Sequence, residues 1–70
     1  MPEKWTGELV KQMHMNRISM TELAGQAGYA KGYVSMILNG SRHPKGAKER
    51  LEAALKEIVL IKKNGGGDNV

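Results

Sequence analysis

The sequence predicts an all-α fold, a compact bundle of four or five helices followed by a flexible tail. Apolar residues recur at spacings of three and four, the period of one face of an α-helix, and the alternation typical of strands is almost absent. Gly, Asn and Pro separate these periodic stretches. With 70 residues and no cysteine, the chain predicts one small domain without disulfides or cysteine-ligated zinc.

The first helix is expected from about Glu3 to Met15. Trp5, Leu9 and Met13 repeat at four-residue spacing and define one apolar face. Trp5 is therefore interpreted as a core anchor. Four methionines are expected to fill gaps in a core with few aromatic residues: Met13, Met15, Met20 and Met36.

The second helix is expected to start at a capping box. The Ser19 hydroxyl can accept a hydrogen bond from the Glu22 backbone N–H, and the Glu22 carboxylate can accept one from the Ser19 N–H. Gly25 weakens this helix, and Gly28 ends it because glycine readily adopts the left-handed conformation. The small Ala24 allows the next helix to cross closely.

The third helix is predicted over residues 31–38, and Asn39 with Gly40 stops it because both tolerate positive φ. The apolar residues around Gly28 are spaced to close a small core beneath the turn. They are Leu23, Ala27, Tyr29, Val34 and Ile37.

The fourth helix is expected from about Lys45 to Lys62, with Pro44 near its first position. Residues 64–70 contain three consecutive glycines and are predicted to form a flexible tail, so the folded domain spans residues 1–63. The inward stripe of the fourth helix is predicted to be Ala47, Leu51, Ala54, Leu55, Ile58 and Ile61.

The net charge of +4 is concentrated in one part of the chain. Residues 1–30 and 51–70 are each neutral, whereas five basic residues and one acidic residue in 31–50 carry the whole excess. A localised positive field is typical of proteins that bind phosphates, although a solvated basic face has the same composition.

Several other function classes are disfavoured. The longest apolar run, residues 58–61, is far shorter than the roughly 20 residues that cross a bilayer, and no signal segment opens the chain, so we expect a cytoplasmic protein. His14 and His43 lack partners at metal-ligand spacing, so no metal site is expected. No cofactor is expected, and no small-molecule ligand is evident from the sequence. No nucleophile with a base and no convergent carboxylate pair indicates an enzyme.

Residues 20–40 combine small, apolar and turn-forming side chains at fixed offsets. These are Leu23, Ala24, Gly28, Val34, Ile37, Asn39 and Gly40, followed by a basic loop that ends in Pro44. In this pattern the chain resembles the lambda-repressor-like (Xre/Cro) family of helix-turn-helix proteins, over about residues 5–62. The resemblance implies a DNA-binding domain over 1–63 that places its third helix in the major groove of double-stranded DNA, usually as a symmetric dimer.

The resemblance also implies which residues contact DNA. Lys31 can donate to guanine, and the Met36 thioether can pack against a thymine methyl. Base contacts are expected from Lys31, Gly32, Ser35 and Met36. Backbone contacts are expected from Thr21, Tyr33, Asn39, Ser41, Arg42 and Lys45.

Three positions depart from the family pattern. Met20 stands where many members carry glutamine, Ala30 where serine or threonine often caps the recognition helix, and Gly32 lacks a base-reading side chain. Specificity is therefore expected to combine few direct contacts with the shape of the DNA.

The four consecutive apolar residues 58–61 cannot all face the core of one domain. We expect Val59 and Leu60 to form a homodimer contact; the alternative is a tail or bent last turn that covers them. The predicted function is a phage or prokaryotic transcriptional regulator of the repressor type. The alternative functions are an antitoxin-like or anti-repressor protein-interaction module, or a domain of this fold that does not bind DNA.

Overall fold

The computed structural model describes residues 3–63 and has four helices in that range: α1 (Lys4–Met15), α2 (Met20–Ala27), α3 (Lys31–Leu38) and α4 (Ala47–Ile61). The predicted all-helical fold is confirmed, and these residues contain no strand. None of the four helices is long and apolar enough to cross a membrane. The predicted tail, residues 64–70, lies outside the described part of the chain.

Glu3 precedes α1, and its carbonyl oxygen accepts hydrogen bonds from the backbone N–H and the hydroxyl of Thr6, at 3.1 and 2.6 Å. After α1 ends at Met15, Arg17 adopts the left-handed conformation, with φ 55°. The Ile18 N–H then bonds to the Met13 carbonyl oxygen at 2.8 Å, as in a Schellman motif, and carries the Ile18 side chain into the core.

Helix α2 has the predicted capping box. The Glu22 N–H donates to Ser19 Oγ at 3.1 Å, and the Ser19 N–H donates to Glu22 Oε1 at 2.9 Å. The helix ends at Gly28, which has φ 81° and donates its N–H to the Ala24 carbonyl oxygen at 2.9 Å. Both predicted boundaries are confirmed.

Helix α4 starts later than predicted, at Ala47. Gly46 precedes it with φ 81°, outside the helical region, and the Ala47 N–H bonds to the Pro44 carbonyl oxygen at 3.2 Å. Pro44 therefore closes a turn and does not occupy the first helical position. Glycine is a poor helix former that adopts positive φ without steric cost, which explains the later start.

The core lies where α2 packs against α4 and α3, with α1 packed on α4 and α3. Leu23, Val34 and Leu51 are its most deeply buried large side chains. Burying one such side chain stabilises the fold by about 2 kcal/mol. The predicted core beneath the turn is confirmed for Leu23, Ala27, Val34 and Ile37, with Tyr29 half-buried against it.

Three expectations about apolar side chains need correction or refinement. Met15 is 67% exposed and does not fill the core, because it lies in the last turn of α1, two residues beyond the buried Met13. Ile61 is 56% exposed because it lies at the last residue of α4, beyond Ile58 and Val59, the last side chains of the helix that pack against the core. Trp5 is half-buried against the core, as a helix anchor would be.

Candidate nucleic-acid interface

The outer face of α3 is held in place by its inner face. Val34 and Ile37 are almost completely buried, so the helix is fixed against the core and cannot rotate freely about its axis. The opposite side carries the four predicted base contacts, as two pairs at i, i+4 spacing that share one face. Lys31 pairs with Ser35, and Gly32 with Met36. Lys31, Gly32 and Ser35 are exposed, and Met36 is half-buried.

The start of α3 is open. Ala30 makes no side-chain cap, and its carbonyl oxygen accepts the N–H groups of Tyr33 and Val34 at 3.0 and 3.1 Å. The N–H groups of Lys31 and Gly32 precede these bonds and have no carbonyl partner within the helix. Such N–H groups, together with the positive end of the helix dipole, favour an anion at this point.

The loop after α3 is organised by its own polar groups. Gly40 has φ 88°, and the N–H groups of Ser41 and Arg42 both reach the Met36 carbonyl oxygen, at 2.8 and 3.2 Å. Asn39 Oδ1 accepts from the N–H and the hydroxyl of Ser41, at 2.9 and 2.7 Å. The Asn39 oxygen and the Ser41 hydroxyl proton are therefore used to shape the loop, while Arg42 is exposed beside them.

The second half of the loop is tied to the start of α1. His43 Nδ1 lies 3.6 Å from Glu3 Oε2, and both side chains are more than half exposed. Between the loop, α1 and α4 lies a cavity of about 140 Å³ whose lining includes Trp5 and Arg42. Lys45 is exposed next to this cavity, outside its lining.

The start of α2 differs electrostatically from the start of α3. The hydrogen bond from the Ser19 backbone N–H lowers the pKa of Glu22 from its ordinary value, desolvation opposes this, and the Lys62 ammonium, 3.4 Å away, lowers the pKa further. Thr21 is exposed beside this carboxylate. The capping box uses the Glu22 N–H, as the sequence predicts, so this group of the first turn is not free to bind a phosphate beside Thr21.

Sequence reasoning missed one cluster, a stack of three side chains from three elements. The rings of Tyr29 and Tyr33 meet edge to face with their centres 5.4 Å apart, and the guanidinium carbon of Arg50 lies 5.0 Å from the centre of the Tyr29 ring. The i, i+4 spacing of the tyrosines indicates their proximity. Nothing local to the sequence brings Arg50, from α4, to the same place.

The predicted dimer residues are separated by the fold. Val59 is half-buried against the core of its own domain, whereas Leu60 is 48% exposed. Its neighbour Ile61 is exposed as well, so the exposed apolar end of α4 consists of Leu60 and Ile61. A contact between protomers at this end would use Ile61 more than Val59.

Comparisons of this chain with protein-family models, with curated proteins and with solved structures gave no match. The resemblance to the lambda-repressor-like family therefore stays a prediction from the residues between 20 and 44. Within residues 3–63, no group of three acidic or histidine side chains is placed to hold a metal ion.

Proposed function

We propose that this protein is a sequence-specific regulator that binds double-stranded DNA through α3 and acts as a dimer on an operator. One observation carries the proposal. The only long stretch of excess positive charge, residues 31–50, contains both the exposed face of α3 and the loop that follows it. A helix fixed by buried residues on one side and bordered by cations suits a groove flanked by phosphates.

Base recognition is assigned to the exposed face of α3. Lys31 is the first residue of the helix and can donate to guanine O6 or N7 in the major groove. Gly32 has no atom within 4 Å of where a Cβ would lie, so the backbone there can approach the DNA closely. Ser35 and Met36, one turn later, supply a hydroxyl and a thioether for polar and methyl contacts.

Phosphate binding is assigned to the residues around this helix. Arg42 and Lys45 are exposed in the loop that leaves α3, and neither has an acidic side chain within 4.0 Å among residues 3–63. Their charges are therefore available to displace counterions from DNA. Contacts of this kind hold the protein in register without reading the sequence.

The test is a fluorescence-anisotropy titration with a duplex selected from random sequences and a scrambled duplex. Lys31→Ala should reduce the preference for the selected duplex by roughly tenfold, because each base contact contributes about 1–3 kcal/mol of discrimination. Arg42→Ala should instead weaken binding to both duplexes equally and reduce the salt slope by about 1.

Lys11→Ala is the matched control, since Lys11 is an exposed lysine of α1 outside the proposed interface. It should leave the preference unchanged. Absence of binding to any duplex at roughly 50 mM salt, where phosphate contacts are strongest, would overturn the proposal.

The alternative is an antitoxin-like or anti-repressor module that binds another protein. The exposed side chains of Leu60 and Ile61 favour a protein contact at the end of α4, whether with a second copy or with a different partner. Sedimentation equilibrium separates the two: a dimer that dissociates on Leu60→Ser supports the regulator, and a monomer at high concentration supports the module. If DNA also fails to bind, the module is the better assignment.

A further inference from the structure

We propose that Arg50 of α4 is an additional DNA-backbone contact, presented by the stack of Tyr29 and Tyr33 and directed at a phosphate beside the groove that α3 enters. This inference rests on the proposed DNA-binding function and extends the interface to a third helix. It adds Arg50 to the DNA contacts that the sequence predicts, and it makes Tyr29 a residue that positions Arg50.

The guanidinium of Arg50 has a defined position although the side chain is exposed. It lies over the Tyr29 ring at 5.0 Å, and one of its terminal nitrogens is 3.7 Å from where a Cβ of Gly28 would be. This cation–π contact holds the guanidinium near the ring and leaves its N–H groups free to donate. An arginine held in this way loses less conformational entropy on binding a phosphate than a free one.

The charge of Arg50 is not neutralised within the protein. Among residues 3–63, no carboxylate lies within 4.0 Å of its nitrogens, and none of its N–H groups donates to a protein acceptor. By contrast, Lys11 and Lys62 pair with the carboxylates of Glu8 and Glu22. Arg50 is thus a pre-positioned cation with an open set of donors.

The stack connects Arg50 to α3. Tyr33 belongs to the first turn of α3, two residues from Lys31, and its ring contacts that of Tyr29. The two distances place the guanidinium within about 10 Å of the Tyr33 ring. Because the major groove is roughly 12 Å wide, the phosphate assigned to this guanidinium is one at the border of the groove that α3 is proposed to enter.

The experiment compares two variants that each remove one positive charge from α4. Arg50→Gln removes the stacked cation, and Lys56→Gln removes an exposed lysine from a different face of the same helix. Anisotropy titrations of the full chain with selected and scrambled duplexes, from about 50 to 200 mM salt, give the affinity and the salt slope. Circular-dichroism melts check that each variant is folded.

Arg50→Gln should weaken binding to both duplexes by about five- to tenfold and reduce the salt slope by about 0.9, the value for one phosphate contact. Lys56→Gln should keep the slope of the unmodified chain. Arg50→Lys should keep the slope but lose about threefold in affinity, because an ammonium does not stack as a planar fork.

Equal effects of Arg50→Gln and Lys56→Gln would overturn the inference, since only the net charge would then matter. A folded Arg50→Lys variant with unreduced affinity would overturn the role of the stack. If the unmodified chain binds no duplex, the proposed function fails and the inference with it. If that chain binds while both glutamine variants behave alike, only the inference fails.

Discussion

The two turns that flank α2 each end one helix and start the next, but they do so with different residues and hydrogen bonds. The turn before α2, residues 16–19, has a left-handed arginine, Arg17, and then starts the helix with a complete capping box. The turn after α2, residues 28–30, has a left-handed glycine, Gly28, and then starts α3 at Ala30 without any side-chain cap. The first turn ends one helix with a strained residue and starts the next with a side-chain cap, whereas the second ends one helix without strain and starts the next without a side-chain cap.

The capped start of α2 contributes to stability, whereas the uncapped start of α3 suits the proposed function. The start of α2 also forms an ion pair with the end of α4, between Glu22 and Lys62, and the exposure of both side chains keeps its contribution to stability small. The open start of α3 leaves backbone N–H groups without partners on the helix proposed to enter DNA. A capping side chain there would compete with a phosphate for the same donors.

The largest expected effect is at the left-handed glycine. Gly28→Ala should lower the free energy of unfolding by about 1–2 kcal/mol, because φ 81° is unfavourable for a residue with a Cβ. The Cβ itself would make only an ordinary contact with Arg50, at 3.7 Å, so conformation and not crowding sets the cost. Chemical denaturation measures the change.

Gly25→Ala is the matched control, the same substitution within α2. A Cβ there has nothing within 4 Å, so the helix should gain about 0.5–1 kcal/mol. Arg17→Gly should likewise stabilise by up to about 1 kcal/mol, whereas Arg17→Ala should leave stability nearly unchanged because the Cβ remains. Equal effects at Gly25 and Gly28 would show that backbone conformation does not distinguish the two positions.

The next largest effects on stability are expected at the starts of α2 and α3. Ser19→Ala should destabilise the protein by about 1 kcal/mol, because the Glu22 N–H loses its acceptor. Ala30→Ser should stabilise it by about 0.5 kcal/mol by adding the cap that α3 lacks. Thermal melts of both variants test this, and a loss of stability in Ala30→Ser would contradict an open, unbonded start of α3.

The smallest expected effect is a dependence of stability on pH through Glu22. Its pKa is lower in the folded chain than in the unfolded one, where it is about 4.3, so its contribution is complete above that value. It is lost as the pH falls through the folded pKa. The melting temperature of the unmodified chain should therefore exceed that of Glu22→Gln at pH 6, and the two should converge near pH 3.

Glu52→Gln is the control for this comparison. Glu52 is exposed on α4 and forms no ion pair within the described chain. Its substitution should change the melting temperature little at either pH. A difference for Glu22→Gln that persists at pH 3 would mean that the carboxylate charge is not what stabilises the start of α2.

Much of the fold could be predicted because its signals are local. The capping box at Ser19 and the end of α2 at Gly28 depend on bonds between residues at most four apart. The start of α4 was harder to predict, since Pro44 is compatible with a first helical position as well as with the turn it forms. Arg17 in the left-handed region gives no local signal either, because arginine rarely adopts it.

In the candidate site, too, some features could be predicted from local signals and others could not. The exposed face of α3 follows from helical periodicity, because Val34 and Ile37 must face inward and Lys31 and Ser35 then face outward. The position of Arg50 could not be predicted. It depends on how α4 packs against α2, which is set by the joint fit of side chains from distant parts of the chain.

Helix boundaries, caps and turn glycines are thus properties of short segments, whose energies are decided within one or two helical turns. The exposure of Met15 and Ile61, the half-burial of Val59 and the cation over Tyr29 are properties of packing. Packing depends on how the side chains of all four helices fit together in one small core, and apolar residues that do not fit there remain on the surface.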